Sequence, residues 1–203
     1  MDGAKIRLSE EEKRLISSGD WILTKNGILA KVNQLLAGVM QGQSHWMAAN
    51  SQRFVAALVA ASPKISRGEN YLGLPWLMLD YPRLFTRNDT CAIRVFFWWG
   101  NFFSITLQLA GPSLNRYSQH IINAWQSFND RNYLLGIADD PWVHHAGTDN
   151  YLPVNEMDPA DFRQQVVNRG FVKLMTLVSL DDWDLAAEKL EGEFRFLMEQ
   201  LAD

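Results

Sequence analysis

Two β-rich runs lie back to back at residues 90–111. Both are dense in β-branched and aromatic residues, and Gly100 and Asn101 separate them, in the sequence TCAIRVFFWWGNFFSITLQLAG. A Gly-Asn pair suits a two-residue hairpin turn whose residues need positive φ. We therefore predict an antiparallel hairpin in which Trp99 lies opposite Phe102.

In this register the two faces of the hairpin differ in polarity. One face carries Trp98 among other apolar residues, with Arg94 as its only charge, and we expect it to form the core. The other face places Trp99, Phe97 and Phe102 together near the turn. Aromatic side chains grouped in this way need a cover. The N-terminal helix is the favoured cover, and a second protomer or a ligand pocket are the alternatives.

Helical patterns stand on both sides of the hairpin. Ser9 and Glu12 have the spacing of a capping box at the start of a short helix. Apolar residues then recur every three or four positions over residues 28–40. A second stripe of this kind covers residues 183–201. We expect helices from both termini to flank the sheet.

The remaining segments set the fold class. Residues 74–81 are predicted to be an edge strand because prolines bound it, and residues 64–71 (KISRGENY) are predicted to be a polar loop. Residues 138–157 are expected to form a long irregular loop. Together the segments predict a single α+β domain over residues 1–203. Its sheet is mostly antiparallel, with about four or five strands around the central 90–110 hairpin.

Charge and composition exclude several classes of partner. The chain has 19 Lys and Arg against 23 Asp and Glu, a net charge of −4, which disfavours nucleic acid. Its longest apolar run, Val95–Trp99, is too short to span a membrane. The first 15 residues lack the apolar core of a secretory signal. The single cysteine, Cys91, fits a reducing compartment. We expect a cytoplasmic protein without a membrane partner.

A candidate ligand site combines polar residues of the 64–71 segment with the hairpin. Arg67 can offer its guanidinium to an anion, and Arg94 needs a carboxylate or a ligand, with Asp80 as the natural neighbour. A structural loop in which Arg67 or Glu69 pairs with Asp80, Arg83 or Arg94 is the favoured alternative. The seven candidate ligand-binding residues are Arg67, Glu69, Tyr71, Asp80, Arg94, Trp98 and Trp99.

The sequence contains no pattern that strongly indicates a metal site or a catalytic site. His144 and His145 are a weak alternative for a metal site, because adjacent histidines in a strand point to opposite faces and the spacings of zinc enzymes are missing. Cys91 is expected to be a core thiol rather than a nucleophile. No cofactor is predicted, and catalytic residues are left unknown.

The pattern KISRGENYLGLPWLMLDYPRLF followed by AIRVFFWWGNFFSITLQLAG resembles an uncharacterised bacterial family of about 200 residues. The likeness covers residues 20–30 and 64–111. It implies a complete bacterial chain and carries over no activity and no catalytic residue.

The favoured function is therefore a non-enzymatic cytoplasmic binding or interaction module that forms a homodimer. The alternative is a small-molecule-binding protein or an enzyme, with its site at the 64–71 segment and the aromatic hairpin. Whether the protein is an enzyme is left open.

Overall fold

A computed structural model describes residues 6–202 of the chain. The helices are α1 (Glu10–Ile16), α2 (Gly19–Asn50), α3 (Ala56–Val59), α4 (Gly111–Asn123), α5 (Trp125–Asp130), α6 (Pro159–Asn168) and α7 (Ala186–Glu199). The strands are β1 (Lys64–Tyr71), β2 (Leu74–Phe85), β3 (Thr90–Trp98), β4 (Phe102–Ala110), β5 (Leu134–Gly136), β6 (Tyr151–Pro153) and β7 (Phe171–Ser179). The prediction that no secretory signal is present concerns the first 15 residues, and residues 1–5 of these lie outside the described range.

The strands form one antiparallel sheet in the order β1-β2-β3-β4-β7-β5-β6. The α+β class and the antiparallel pairing are confirmed. The expected four or five strands are too few, because seven are present. One of the additional strands, β6, has three residues, which is too short for a periodic pattern to show it.

The central hairpin is confirmed, but its predicted register is wrong by one residue. Trp98 rather than Trp99 lies opposite Phe102, so three residues form the loop. The backbone N–H of Asn101 donates to the Trp98 carbonyl at 3.0 Å, and Gly100 takes a φ of +69°. Because side chains alternate along a strand, this slip moves the residues of β3 to the opposite faces from those predicted.

The face that helices α2, α4 and α7 cover is the main core. On the hairpin it carries Phe97 and, partly buried beside it, Trp99. The opposite face, here called the outer face, carries Arg94, Phe96 and Trp98. Helices thus pack over Phe97 and Trp99, whereas Phe102 lies on the outer face with Trp98.

Two predicted assignments at the start of the sheet are wrong. Residues 64–71 form strand β1 at the edge of the sheet instead of a loop. Residues 74–81 belong to β2, which lies between β1 and β3 and is therefore an interior strand. The β2–β3 register shifts between Asp80 and Arg83, which is where Pro82 sits. A proline at such an irregularity removes no regular ladder hydrogen bond.

Helix α2 is 32 residues long and continues through Gly38 and Gly42. Its second half packs on α7 and on the sheet. Its first turns and α1 together form an exposed segment, residues 6–23, here called the arm. The capping box of Ser9 and Glu12 at the start of α1 is confirmed. No helix within residues 6–202 has the length and apolar character needed to cross a membrane.

Candidate functional site

A groove of about 880 Å³ runs between strand β1 and helix α2. One wall consists of five consecutive β1 residues, Ile65 to Glu69. The helical wall supplies three side-chain amides and two small or apolar residues, Asn26, Asn33, Gln34, Leu29 and Ala30. Because β1 is the last strand on this side, one of its backbone edges pairs with no strand of the described chain. The groove therefore combines unpaired main-chain groups with neutral hydrogen-bonding side chains.

Gly68 allows the ring of Trp76 to approach the backbone of strand β1 closely. Gly68 lies opposite Trp76 in the β1–β2 ladder. A Cβ atom at position 68 would come within 2.5 Å of the indole Nε1 of Trp76. The glycine therefore lets the indole lie directly over the β1 backbone, and Trp76 becomes part of the groove lining.

The charges of the groove are unevenly paired. The ammonium of Lys25 on α2 forms an ion pair with Glu69 of β1. Arg67 is exposed, and among residues 6–202 its guanidinium has no hydrogen-bond or ion-pair partner. The expected pairing of Arg67 or Glu69 with Asp80, Arg83 or Arg94 is wrong, because the side chains of β1 that alternate with Gly68 point to the α2 side. Among the described residues, Arg67 is thus the free cation of the groove.

The outer face holds a second group of polar residues. Arg94 Nε donates to Asp80 Oδ1 at 2.7 Å, and both side chains are about nine-tenths buried. This ion pair confirms the prediction for Arg94. The guanidinium lies 5.3 Å from the centroid of the Phe85 ring and 5.4 Å from that of Trp142, and the two rings also contact each other. Cation–π contact with both rings helps to keep a charge in a largely apolar layer.

Residues 137–150, here called the covering segment, lie over this polar group. The hydroxyl of Tyr71 accepts hydrogen bonds from the backbone N–H groups of His144 and His145, at 2.6 and 3.0 Å. The His144 ring packs 5.3 Å from the ring of Phe96. The expected long irregular loop is confirmed over this range, although β6 and a short 3-10 turn follow it within residues 151–156.

Lys173 of β7 is the most deeply buried charge in the described chain, with 1% of its surface exposed. Its ammonium donates to the backbone carbonyl of Val143 and lies 5.0 Å from the centroid of the Tyr151 ring. Burial, and to a smaller extent the charge of Arg94, lower its pKa to about 8. The positive charge of Lys173 is therefore poorly compensated by its surroundings.

His144 is held in its neutral form. Burial lowers its pKa to about 3, and the nearby positive charges of Arg94 and Lys173 act in the same direction. A neutral imidazole keeps one acceptor nitrogen, so the ring remains able to accept a hydrogen bond.

The seven predicted ligand residues separate into two places. Tyr71, Asp80, Arg94 and Trp98 lie on the outer face, where Trp98 Nε1 donates to the Tyr71 carbonyl at 3.1 Å. The other three, Arg67, Glu69 and Trp99, lie on the side of α2 and the main core. A shift in the β1–β2 register between Gly68 and Tyr71 helps to send Tyr71 to the other face. The structure therefore does not bring all seven residues together in one place.

Sequence reasoning missed Lys173, Trp142 and the groove amides of α2. Lys173 carried a usable signal, since it is a lone charge within the apolar run FVKLMTLV. The amides carried none, because asparagine and glutamine on an exposed helix face are ordinary.

The two adjacent histidines and Cys91 lie in different surroundings. His145 Nε2 lies 3.1 Å from Asp149, whereas the His144 ring turns inward. Within residues 6–202 no group of three His, Cys, Asp or Glu side chains is placed to hold a metal ion. Cys91 is fully buried, and burial raises the pKa of its thiol to about 12, so the expectation of a core thiol is confirmed.

No protein-family model, curated protein or solved structure compared with this chain matches it.

Proposed function

We propose that the protein is a binding module that takes up an extended polypeptide segment along the open edge of β1, beside helix α2. The observation that carries this proposal is the groove of about 880 Å³ between an unpaired strand edge and a helix. An exposed strand edge forms main-chain hydrogen bonds with an added strand, and neighbouring side chains select its sequence.

The dimensions support a segment of several residues. Strand β1 has eight residues and is therefore about 26 Å long. Its groove-lining part has Trp76 over Gly68 and α2 beside Ile65 to Glu69. An added strand would meet the indole and the helix as well as the β1 backbone, which gives alternate side chains something to contact.

The charge of the groove indicates what the segment carries. Arg67 lies among three amide side chains and has no ionic partner within residues 6–202, and a guanidinium binds a carboxylate through two parallel hydrogen bonds. Asp or Glu side chains, or a C-terminal carboxylate, therefore fit beside Arg67. The pair of Lys25 and Glu69 is already satisfied and adds no net charge.

Self-association is also part of the proposal. The arm, residues 6–23, exposes Ile16, Trp21, Ile22 and Leu23. These apolar side chains border a depression of about 710 Å³ on the arm. They are the surface through which the homodimer expected from the sequence would form.

The experiment is selection from a phage-displayed library of random octapeptides, followed by calorimetric titration of the selected peptides. We expect selected sequences to be extended, to carry Asp or Glu, and to bind Arg67→Glu at least tenfold more weakly than the original protein. Arg163→Glu, an equal charge change at another exposed arginine, should leave the affinity unchanged.

N-methylated peptides separate strand pairing from simple charge attraction. Methylating every second backbone amide should abolish binding in one of the two alternate patterns and spare it in the other, because alternate amides of a strand point to opposite sides. Failure to select any peptide, or equal affinity for both methylation patterns, would exclude this function.

A further inference from the structure

The layer beneath the covering segment holds more buried positive charge than negative charge. Lys173 and Arg94 are buried there, the latter with 11% of its side chain exposed. Asp80 is the only acidic residue of the described chain that is buried. It is engaged by Arg94, and within residues 6–202 no carboxylate lies within ion-pair distance of the Lys173 ammonium. Uncompensated buried charge is costly to a fold.

The hydrogen-bond partner of the Lys173 ammonium is a neutral group, and the exposed carboxylate of Asp140 acts on it only from beyond ion-pair distance. It donates to the Val143 carbonyl and faces the Tyr151 ring. A carbonyl carries only a partial charge, so an anionic oxygen would bind an ammonium more strongly than it does.

Gln108 connects the two cations. It is the ladder partner of Lys173 on β4, and its Oε1 accepts from the Arg94 guanidinium at 3.4 Å. Gln108 is itself buried. The two cations therefore converge on one patch of the outer face.

The cover over this patch is built from irregular chain. The covering segment pairs with no strand along its length, and it is held by Tyr71 and Lys173 through its own backbone and by Arg94 through Trp142. Trp142 leaves about half of its surface in solvent. Local opening of such a segment breaks no strand ladder, only hydrogen bonds of its backbone to side chains and within its own turns.

We propose that a small oxyanion, a carboxylate or phosphate group, binds between Lys173 and Arg94 beneath the covering segment. The anion takes the place of the Val143 carbonyl at the Lys173 ammonium and supplies the missing negative charge. Neither cation of this site lines the polypeptide groove, so the two proposals can be tested separately.

The experiment is thermal unfolding of the full chain with rising sodium phosphate, sodium acetate or sodium chloride at matched ionic strength. We expect the midpoint to rise and saturate with phosphate, acetate or both, beyond the chloride effect. The salt that raises the midpoint beyond the chloride effect identifies which oxyanion binds. Lys173→Met, which keeps length and removes charge, should fold at least as stably as the original protein and lose the response, with a Kd at least tenfold weaker. Lys31→Met, at an exposed lysine of α2, should respond like the original protein.

A second measurement does not depend on a variant. Hydrogen–deuterium exchange of the original protein should slow in residues 138–150 when the anion is present and stay unchanged in α4. The proposal is overturned if neither oxyanion exceeds chloride, if Lys173→Met responds fully, or if exchange in the covering segment is unaffected.

Discussion

Acidification to pH 5 should destabilise this protein through one residue, His144. Its imidazole has a pKa of about 3 in the folded chain, against 6.5 when solvated, because it is buried beside Arg94 and Lys173. The unfolded chain therefore takes up a proton below pH 6.5 that the folded chain does not. Stability is complete above pH 6.5 and is lost progressively as the pH falls towards 3.

The size of the effect follows from these two values. When the unfolded chain binds one proton more than the folded chain, the free energy of unfolding changes by about 1.4 kcal/mol per pH unit. Between pH 7 and pH 5, where the unfolded chain becomes protonated at this position and the folded chain stays neutral, His144 should cost about 2 kcal/mol. Carboxylates contribute mainly at lower pH, so this window isolates the histidine.

The assay is urea unfolding of the original protein and of His144→Gln at pH 7 and pH 5. The variant loses the ring contacts with Phe96 and Tyr71, so its absolute stability at pH 7 falls. Only the difference between the two pH values is decisive. His144→Gln should lose about 2 kcal/mol less than the original protein, whereas His45→Gln, at an exposed histidine of α2, should behave like the original. An equal pH dependence in His144→Gln and the original protein would refute the burial of a neutral imidazole.

Four further predictions concern stability and assembly. Gly38→Ala should raise the free energy of unfolding by about 1 kcal/mol, because the position is helical and a methyl group there meets no atom within 4 Å. Gly111→Ala should lower it by more than about 2 kcal/mol in the same denaturation assay, because φ is +61° and a Cβ atom would lie 2.0 Å from a backbone oxygen; a neutral result would show that the helix start can relax. Asp80→Asn should lower the unfolding free energy by about 3 kcal/mol and cost more than Arg94→Met, because it leaves two buried cations without a carboxylate; the reverse order would contradict the charge count on the outer face. Sedimentation at micromolar concentration should show a dimer that Leu23→Glu converts to monomer, and a monomeric original protein would remove the proposed role of the arm.

Local patterns predicted the helices at both ends of the chain and the strands of the central hairpin. Capping residues such as Ser9, and Asp158 before a proline, mark helix starts because their side chains satisfy backbone N–H groups within three residues. The pairing of Arg94 with Asp80 was also predictable, since a charge in an apolar strand needs an opposite charge nearby. Such effects act over a few residues or across one ladder.

The candidate sites were only partly predictable, and one strand shows why. Residues 64–71 alternate weakly in polarity, because an edge strand is exposed on several sides and no core selects its pattern. Whether Tyr71 joins Arg67 or Arg94 depends on a local shift in the β1–β2 register. That shift reverses the direction of a side chain without leaving a mark in composition or spacing.

Sequence alone determined the α+β class, the central hairpin and the burial of Cys91, because hydrophobic periodicity and turn chemistry are local properties. Tertiary structure alone decided which face each hairpin residue occupies, that α2 runs beside the open edge of β1, and that Lys173 meets Arg94 beneath residues 137–150. These relations join residues far apart in the chain. They arise from the way strands and helices bury one another, which a single sequence does not display.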